Sequence, residues 1–183
     1  MNNGHRARPL LLWGMMGVGK SELAKYFRER MGVCAVDLDA MLSQIHGASI
    51  DELVNARGID WFRAVERSLL TEVLNDGQTQ VISVGGGTLL DESFRGWVRE
   101  RGYLCTLTAT PDVLLKRLNS SKTVRPLLIS NKSSDVCEAT FCRLLRERQG
   151  AYLDADCVID TTHLSADAVA AEITPLFLCL EAA

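Results

Sequence analysis

Short apolar runs alternate with segments of helical spacing along the whole chain. PLLLW (9–13), VCAV (33–36), TQVISV (79–84), YLCTLT (103–108) and DCVID (156–160) have the length of strands. They are apolar continuously rather than at every second position, as in a parallel sheet covered on both faces. Between them, Leu23, Ala24, Phe27 and Met31 recur at helical spacing, and so do Phe62, Val65, Leu69, Leu70, Val73 and Leu74. This alternation predicts an α/β fold, a three-layer α/β/α arrangement around a five-stranded parallel sheet. After about residue 163 the apolar pattern predicts one closing helix and carries no motif.

One stretch breaks the alternation. NSSKTVRPLLISNKSSD (119–135) is polar, rich in Ser and Lys, and contains Pro126. A connection of that length in a compact domain reads as a mobile lid, placed at about 119–131.

Composition narrows the class. The 183 residues suffice for one domain with its own core, so 1–183 is read as a single unit. A net charge of -3 without blocks of like charge argues against nucleic acid as a partner. No apolar run approaches the ~18 residues that span a bilayer. The opening MNNGHRARPLLLWG enters a glycine loop rather than a cleavage site. Six scattered cysteines form no C-x-x-C pair, and Cys34, Cys105 and Cys157 fall inside strand-like runs, where thiols behave as small hydrophobes. A reduced, cytoplasmic, monomeric protein without a structural metal is expected.

The chemistry begins at GMMGVGKS, residues 14–21, a complete G-x-x-x-x-G-K-S between a strand and an amphipathic helix. Its glycines let successive N–H groups face one anion, and the helix N-terminus adds its dipole. Gly17, Val18 and Gly19 would line the phosphates, Lys20 would reach the β- and γ-phosphates, and the Ser21 hydroxyl would hold Mg²⁺. ATP is the expected co-substrate.

AVDLDAML (35–42) places two carboxylates at the exit of a strand. On its own, Asp39 would cap a helix beginning at Ala40 and Asp37 would be solvated. The strand 79–84 ends in Gly85-Gly86-Gly87 with no carboxylate for a metal, so Asp37 becomes the second Mg²⁺ residue, through a water ligand. Asp39 would then face the space beyond the γ-phosphate, where an acceptor hydroxyl lies. Arg63, with Glu66 one turn on to orient it, Arg125 within the polar stretch, and Arg148 at the end of a helix bear on the acceptor. Arginines converging on a pocket suit a carboxylate, which guanidinium binds bidentately.

These motifs together resemble the shikimate kinases, small P-loop kinases of the nucleoside monophosphate kinase fold. The P-loop is followed, in the family's order, by Asp37/Asp39 as D-x-D, Phe62-Arg63/Glu66 as F-R-x-x-E, Gly85–Gly87, Arg125-Pro126-Leu127 and Arg148/Tyr152 as R-x-x-x-Y. The resemblance covers residues 10 to 160, with a substrate-binding region at about 37–66. It implies transfer of the ATP γ-phosphoryl to the 3-hydroxyl of shikimate, in the pathway to chorismate and the aromatic amino acids. It also implies that Asp39 contacts the substrate hydroxyls, that Arg63 and Arg148 hold its carboxylate, and that Gly86 and Gly87 line its pocket. Arg125 would close from the lid, and Arg117 would lie against adenine. Met15 and Met16 depart from the smaller residues common in this loop, and the span between Arg117 and Arg125 is one residue longer than usual. The nearest rival on the same fold is a gluconate kinase, which need not carry D-x-D, F-R-x-x-E and the glycine triplet together.

Overall fold

The computed structural model describes residues 8–120 and 138–182. Its strands are β1 (Leu10–Gly14), β2 (Ala35–Asp37), β3 (Val81–Ser83), β4 (Tyr103–Thr108) and β5 (Cys157–Asp160). All pair in parallel, in the order β2-β3-β1-β4-β5. The helices are α1 (Lys20–Met31), α2 (Leu38–His46), α3 (Ile50–Arg57), α4 (Ile59–Asp76), α5 (Glu92–Arg99), α6 (Pro111–Ser120), α7 (Glu138–Leu153) and α8 (Ala166–Ala182).

Every residue of β1 is buried, the outcome expected of a run covered on both faces. The outer strands differ. β2 is buried only at Ala35, and β5 only at Ile159, with Val158 exposed, because each is an edge strand with one neighbour. This corrects the cysteine reading in part: Cys34 lies outside β2 and is exposed, whereas Cys105 is buried in β4.

The helices form as the spacing predicts. α1 buries Leu23, Ala24 and Phe27. α4 buries Phe62, Leu69, Leu70, Val73 and Leu74, and its inward face also takes Glu66. α8 is the closing helix: Val169, Ala170, Ile173 and Phe177 are buried, and the Phe177 ring lies 5.7 Å from that of Phe27.

The topology fixes where a ligand can sit. β1 lies beside β4. The connection after β1 runs toward β2 while that after β4 runs toward β5, so the two diverge and open a crevice at the C-terminal ends of these strands. The P-loop emerges from that end of β1.

Candidate active site

The P-loop backbone turns on three glycines with left-handed φ, Gly14 (129°), Gly17 (87°) and Gly19 (100°). Gly14 needs its missing side chain twice over, because a Cβ there would also strike the carbonyl of Leu107. Gly19 is the N-cap of α1, and no side chain caps the helix. Its first-turn N–H groups therefore remain available to an anion. Lys20 is buried and donates from Nζ to the carbonyls of Gly14 (2.8 Å) and Met15 (3.2 Å). Those contacts hold the ammonium over the loop that it would serve.

Gly17, Gly19, Lys20 and Ser21 line a cleft of about 630 Å³. Asp39, Arg63, Glu66, Gly85, Gly86, Gly87, Arg117 and Arg148 line the same cleft. Residues more than 130 positions apart thus share one space.

The two carboxylates of D-x-D take different places, and the capping role expected of Asp39 falls on Asp37. β2 is only three residues long, so α2 starts at Leu38 rather than Ala40 and Asp37 becomes its N-cap. Asp37 Oδ1 accepts from the Ala40 N–H at 3.0 Å, and Oδ2 accepts from the Ser83 hydroxyl at 2.8 Å. Asp39 sits in the first turn of α2 and faces the cleft.

The other side of the cleft is built around the glycine triplet. Arg63 donates to Glu66 Oε2, and the Thr88 hydroxyl donates to Glu66 Oε1 at 2.8 Å. Glu66 is 1% exposed, yet both of its oxygens are satisfied. Burial raises its carboxyl pKa above the ordinary value, and the charge of Asp39 adds to the rise, while Arg63 and Thr88 oppose it. The carboxylate thereby holds Arg63 in one direction.

Each glycine of the triplet is glycine for lack of space, since none of the three has positive φ. A Cβ on Gly85 would collide with Glu66 Oε1 and lie 3.3 Å from Asp39 Oδ1. On Gly86 it would lie 3.2 Å from the Tyr152 hydroxyl and 3.8 Å from Arg148 Nη1, and on Gly87 it would enter the Arg63 guanidinium. The space beside the triplet is thus taken by Asp39, Arg148 and Arg63 in turn. Arg148 is buried in the middle of the last turns of α7, which runs on to Leu153 instead of ending at Arg148 as the sequence suggested. One turn later, Tyr152 donates to the Gly86 carbonyl at 2.9 Å. Burial pushes the Tyr152 phenol up, and Arg148 and Arg63 pull it down, so both guanidiniums reach the same hydroxyl electrostatically.

At the end of α6, Arg117 donates from Nη1 to the Thr161 hydroxyl (3.1 Å) and from Nη2 to the Thr161 carbonyl (2.7 Å). These bonds fix the plane of the guanidinium. Thr161 follows β5, and no sequence signal pointed to it. Ser83 and Thr88 were also missed, although Thr88 directly follows the triplet. Arg125 and nearly all of the expected lid, from residue 121 on, lie outside the described residues. Among the described residues, no cluster of three His, Cys, Asp or Glu side chains could hold a metal. Among them too, no helix is long and apolar enough to cross a membrane.

Known proteins of one family share this sequence pattern and this fold. The family model for shikimate kinase matches residues 16–177. A shikimate kinase of Geobacter metallireducens is 36% identical over 167 residues, covering 91% of this chain and 90% of its own. The crystal structure of shikimate kinase from Bacteroides thetaiotaomicron superposes with a TM-score of 0.81 at 30% identity, covering 95% of this chain and 98% of that one. Shikimate kinase from Acinetobacter baumannii, solved in complex with shikimate, gives a TM-score of 0.82 at 27% identity, with 95% of each chain covered.

Proposed function

The chain belongs to the shikimate kinase family, and from that premise we propose how its own side chains divide the transfer of the γ-phosphoryl of ATP to the 3-hydroxyl of shikimate. The N–H groups of Gly17, Val18 and Gly19 receive the phosphates at the uncapped start of α1. Lys20 exchanges its carbonyl partners for phosphate oxygens. Arg117, held flat by Thr161, lies against the adenine.

The residues present fit Mg²⁺. A magnesium ion bound with nucleotide keeps several waters and takes few protein ligands, so a three-carboxylate cluster is not required. Ser21 lines the cleft beside Lys20. Asp37 does not itself line the cleft but bonds Ser83, which does, so its remaining lone pairs would reach an ion only through water. When bound, the ion supplies charge neutralisation across the β- and γ-phosphates.

Arg63 and Arg148 hold the acid's carboxylate, with Gly86 and Gly87 as the wall behind it. Asp39 accepts the hydrogen bond of the 3-hydroxyl and takes its proton as the oxygen attacks the γ-phosphorus. The bond to the β–γ bridging oxygen breaks, and ADP leaves with that electron pair. Positioning and charge neutralisation supply most of the acceleration in such a transfer.

The observation that carries this reading is the gathering of Asp39, Arg63 and Arg148 around one glycine triplet, in the cleft that also holds the P-loop. The test is ADP release with shikimate and with gluconate. We expect turnover on shikimate, and its loss in Asp39→Asn with ATP binding retained. Asp37→Asn should instead raise the Mg²⁺ concentration needed for half-maximal rate. Turnover on gluconate with none on shikimate would overturn the reading.

A further inference from the structure

Outside the cleft lies a buried arginine that the reaction does not use. Arg95 of α5 is 6% exposed. From Nη1 it donates to the carbonyls of Leu89 (2.9 Å) and Leu90 (3.3 Å), where the chain leaves the glycine triplet. From Nε (2.9 Å) and Nη2 (2.8 Å) it binds Asp154 Oδ2, one residue beyond the end of α7. Arg99, one turn along α5, takes the other oxygen of Asp154 at 2.8 Å and also holds Asp156.

We propose that Arg95 is a positioning residue for the acid pocket, bridging the glycine loop to the C-terminal end of α7 so that Gly86, Gly87 and Arg148 keep one spacing. The proposal rests on the function given above. Burying a guanidinium is costly unless its donors are satisfied, so a neutral residue would suffice if only packing were required. Arg95 uses its fork instead to join two segments that also meet at Tyr152 and Gly86, behind the pocket wall. Arg148 lies six residues before Asp154, about 9 Å along a stiff helix. Loosening at Asp154 therefore reaches Arg148 along the helix, and it reaches the P-loop only at one remove, through the Tyr152 hydroxyl 3.7 Å from Met15 Sδ. Displacements near 1 Å at a positioning group are enough to lower catalysis by up to about a hundredfold.

The test compares Arg95→Met, Arg95→Lys and Asp154→Asn in the full chain, measured well below the melting temperature. Arg95→Met should raise the KM for shikimate about tenfold and leave the KM for ATP within about twofold. Arg95→Lys keeps the charge but cannot span both partners, and should fall between. The Arg95→Met effect should shrink in an Arg148→Lys background, because both act on the same carboxylate. Equal rises in both KM values, or a lower melting temperature with both KM values unchanged, would show a purely structural role and overturn the proposal. Should Arg95→Met not fold, Asp154→Asn, at a half-exposed position, is expected to give the same split with a smaller rise. If the wild type does not turn over shikimate, the functional reading fails separately. The bridge is then read by amide exchange at 85–90 and 149–153, faster in the variant if it exists and unchanged if it does not.

Discussion

The Tyr152 hydroxyl donates to the carbonyl oxygen of Gly86 at 2.9 Å, joining the last turn of α7 to the middle of the glycine triplet. The ring behind it meets Trp13 of β1 edge-on at 4.8 Å. A single phenol thus links the central strand, the loop and the helix that carries Arg148. Tyr152→Phe keeps the ring and removes the hydroxyl, with its bond to Gly86 and its weaker one to Met15 Sδ at 3.7 Å. It should cost about 0.5–1.5 kcal/mol of stability and raise the KM for shikimate several-fold more than that for ATP. Urea titration and steady-state kinetics check both, and equal KM changes would place the bond outside acid recognition.

Arg63→Lys and Arg148→Lys keep the charge and lose the planar fork. Charge-assisted bonds worth about 1.5–3 kcal/mol correspond to one to two decades in affinity for the acid. Calorimetric titration with shikimate should show that loss, with ATP binding nearly unchanged. Comparable weakening of both ligands would move these arginines away from the carboxylate.

Two neighbouring glycines should fail in different ways. A methyl at Gly87 meets the end of the Arg63 side chain, which can swing away. Gly87→Ala should therefore fold normally and lose roughly tenfold in shikimate affinity, as a displaced arginine would. A methyl at Gly85 meets the buried Glu66 carboxylate and the Thr88 hydroxyl, which have nowhere to go. Gly85→Ala should lower stability by about 1–3 kcal/mol. Melting curves of the two variants decide the matter, and identical curves would remove the distinction.

Glu66 predicts a pH dependence. Its carboxyl pKa is raised above 4.5 by burial, so above that pH the folded chain holds the proton longer than the unfolded chain does. Stability conferred at this site is therefore greatest below pH 4.5 and falls as pH rises through the folded value. Glu66→Gln cannot ionise and lacks this contribution. The stability of the wild type relative to the variant should decline from pH 4.5 toward neutrality in urea titrations. Parallel curves across that range would mean that the pair with Arg63 cancels the burial.

What was legible in the sequence was what is local. The P-loop, F-R-x-x-E and the glycine triplet each span a few residues, and their spacing places them on a loop, a helix turn and a strand exit. The burial of β1 followed from four consecutive apolar side chains. What escaped were partners brought together only by strand order. Arg117 and Thr161 are 44 residues apart, Asp37 and Ser83 are 46 apart, and Arg95 and Asp154 are 59 apart. The exchange of capping from Asp39 to Asp37 turned on α2 beginning two residues early, a boundary that apolar spacing does not define. The exposure of Cys34 had a similar origin, because an edge position looks like any other apolar run until the neighbouring strands are counted.

The crowded glycine triplet has an entropic consequence. A wall made of backbone has no rotamers to freeze when a ligand arrives, and the side chains around it are already held. Glu66 directs Arg63, Arg148 is buried beside Tyr152, and Tyr152 is bonded to the wall itself. Immobilising a free side chain at an interface costs about 0.5–1.5 kcal/mol, and here that loss was incurred when the chain folded. A small rigid acid entering this half of the cleft orders little that was not ordered before, so its affinity reflects the bonds it makes with few entropic deductions.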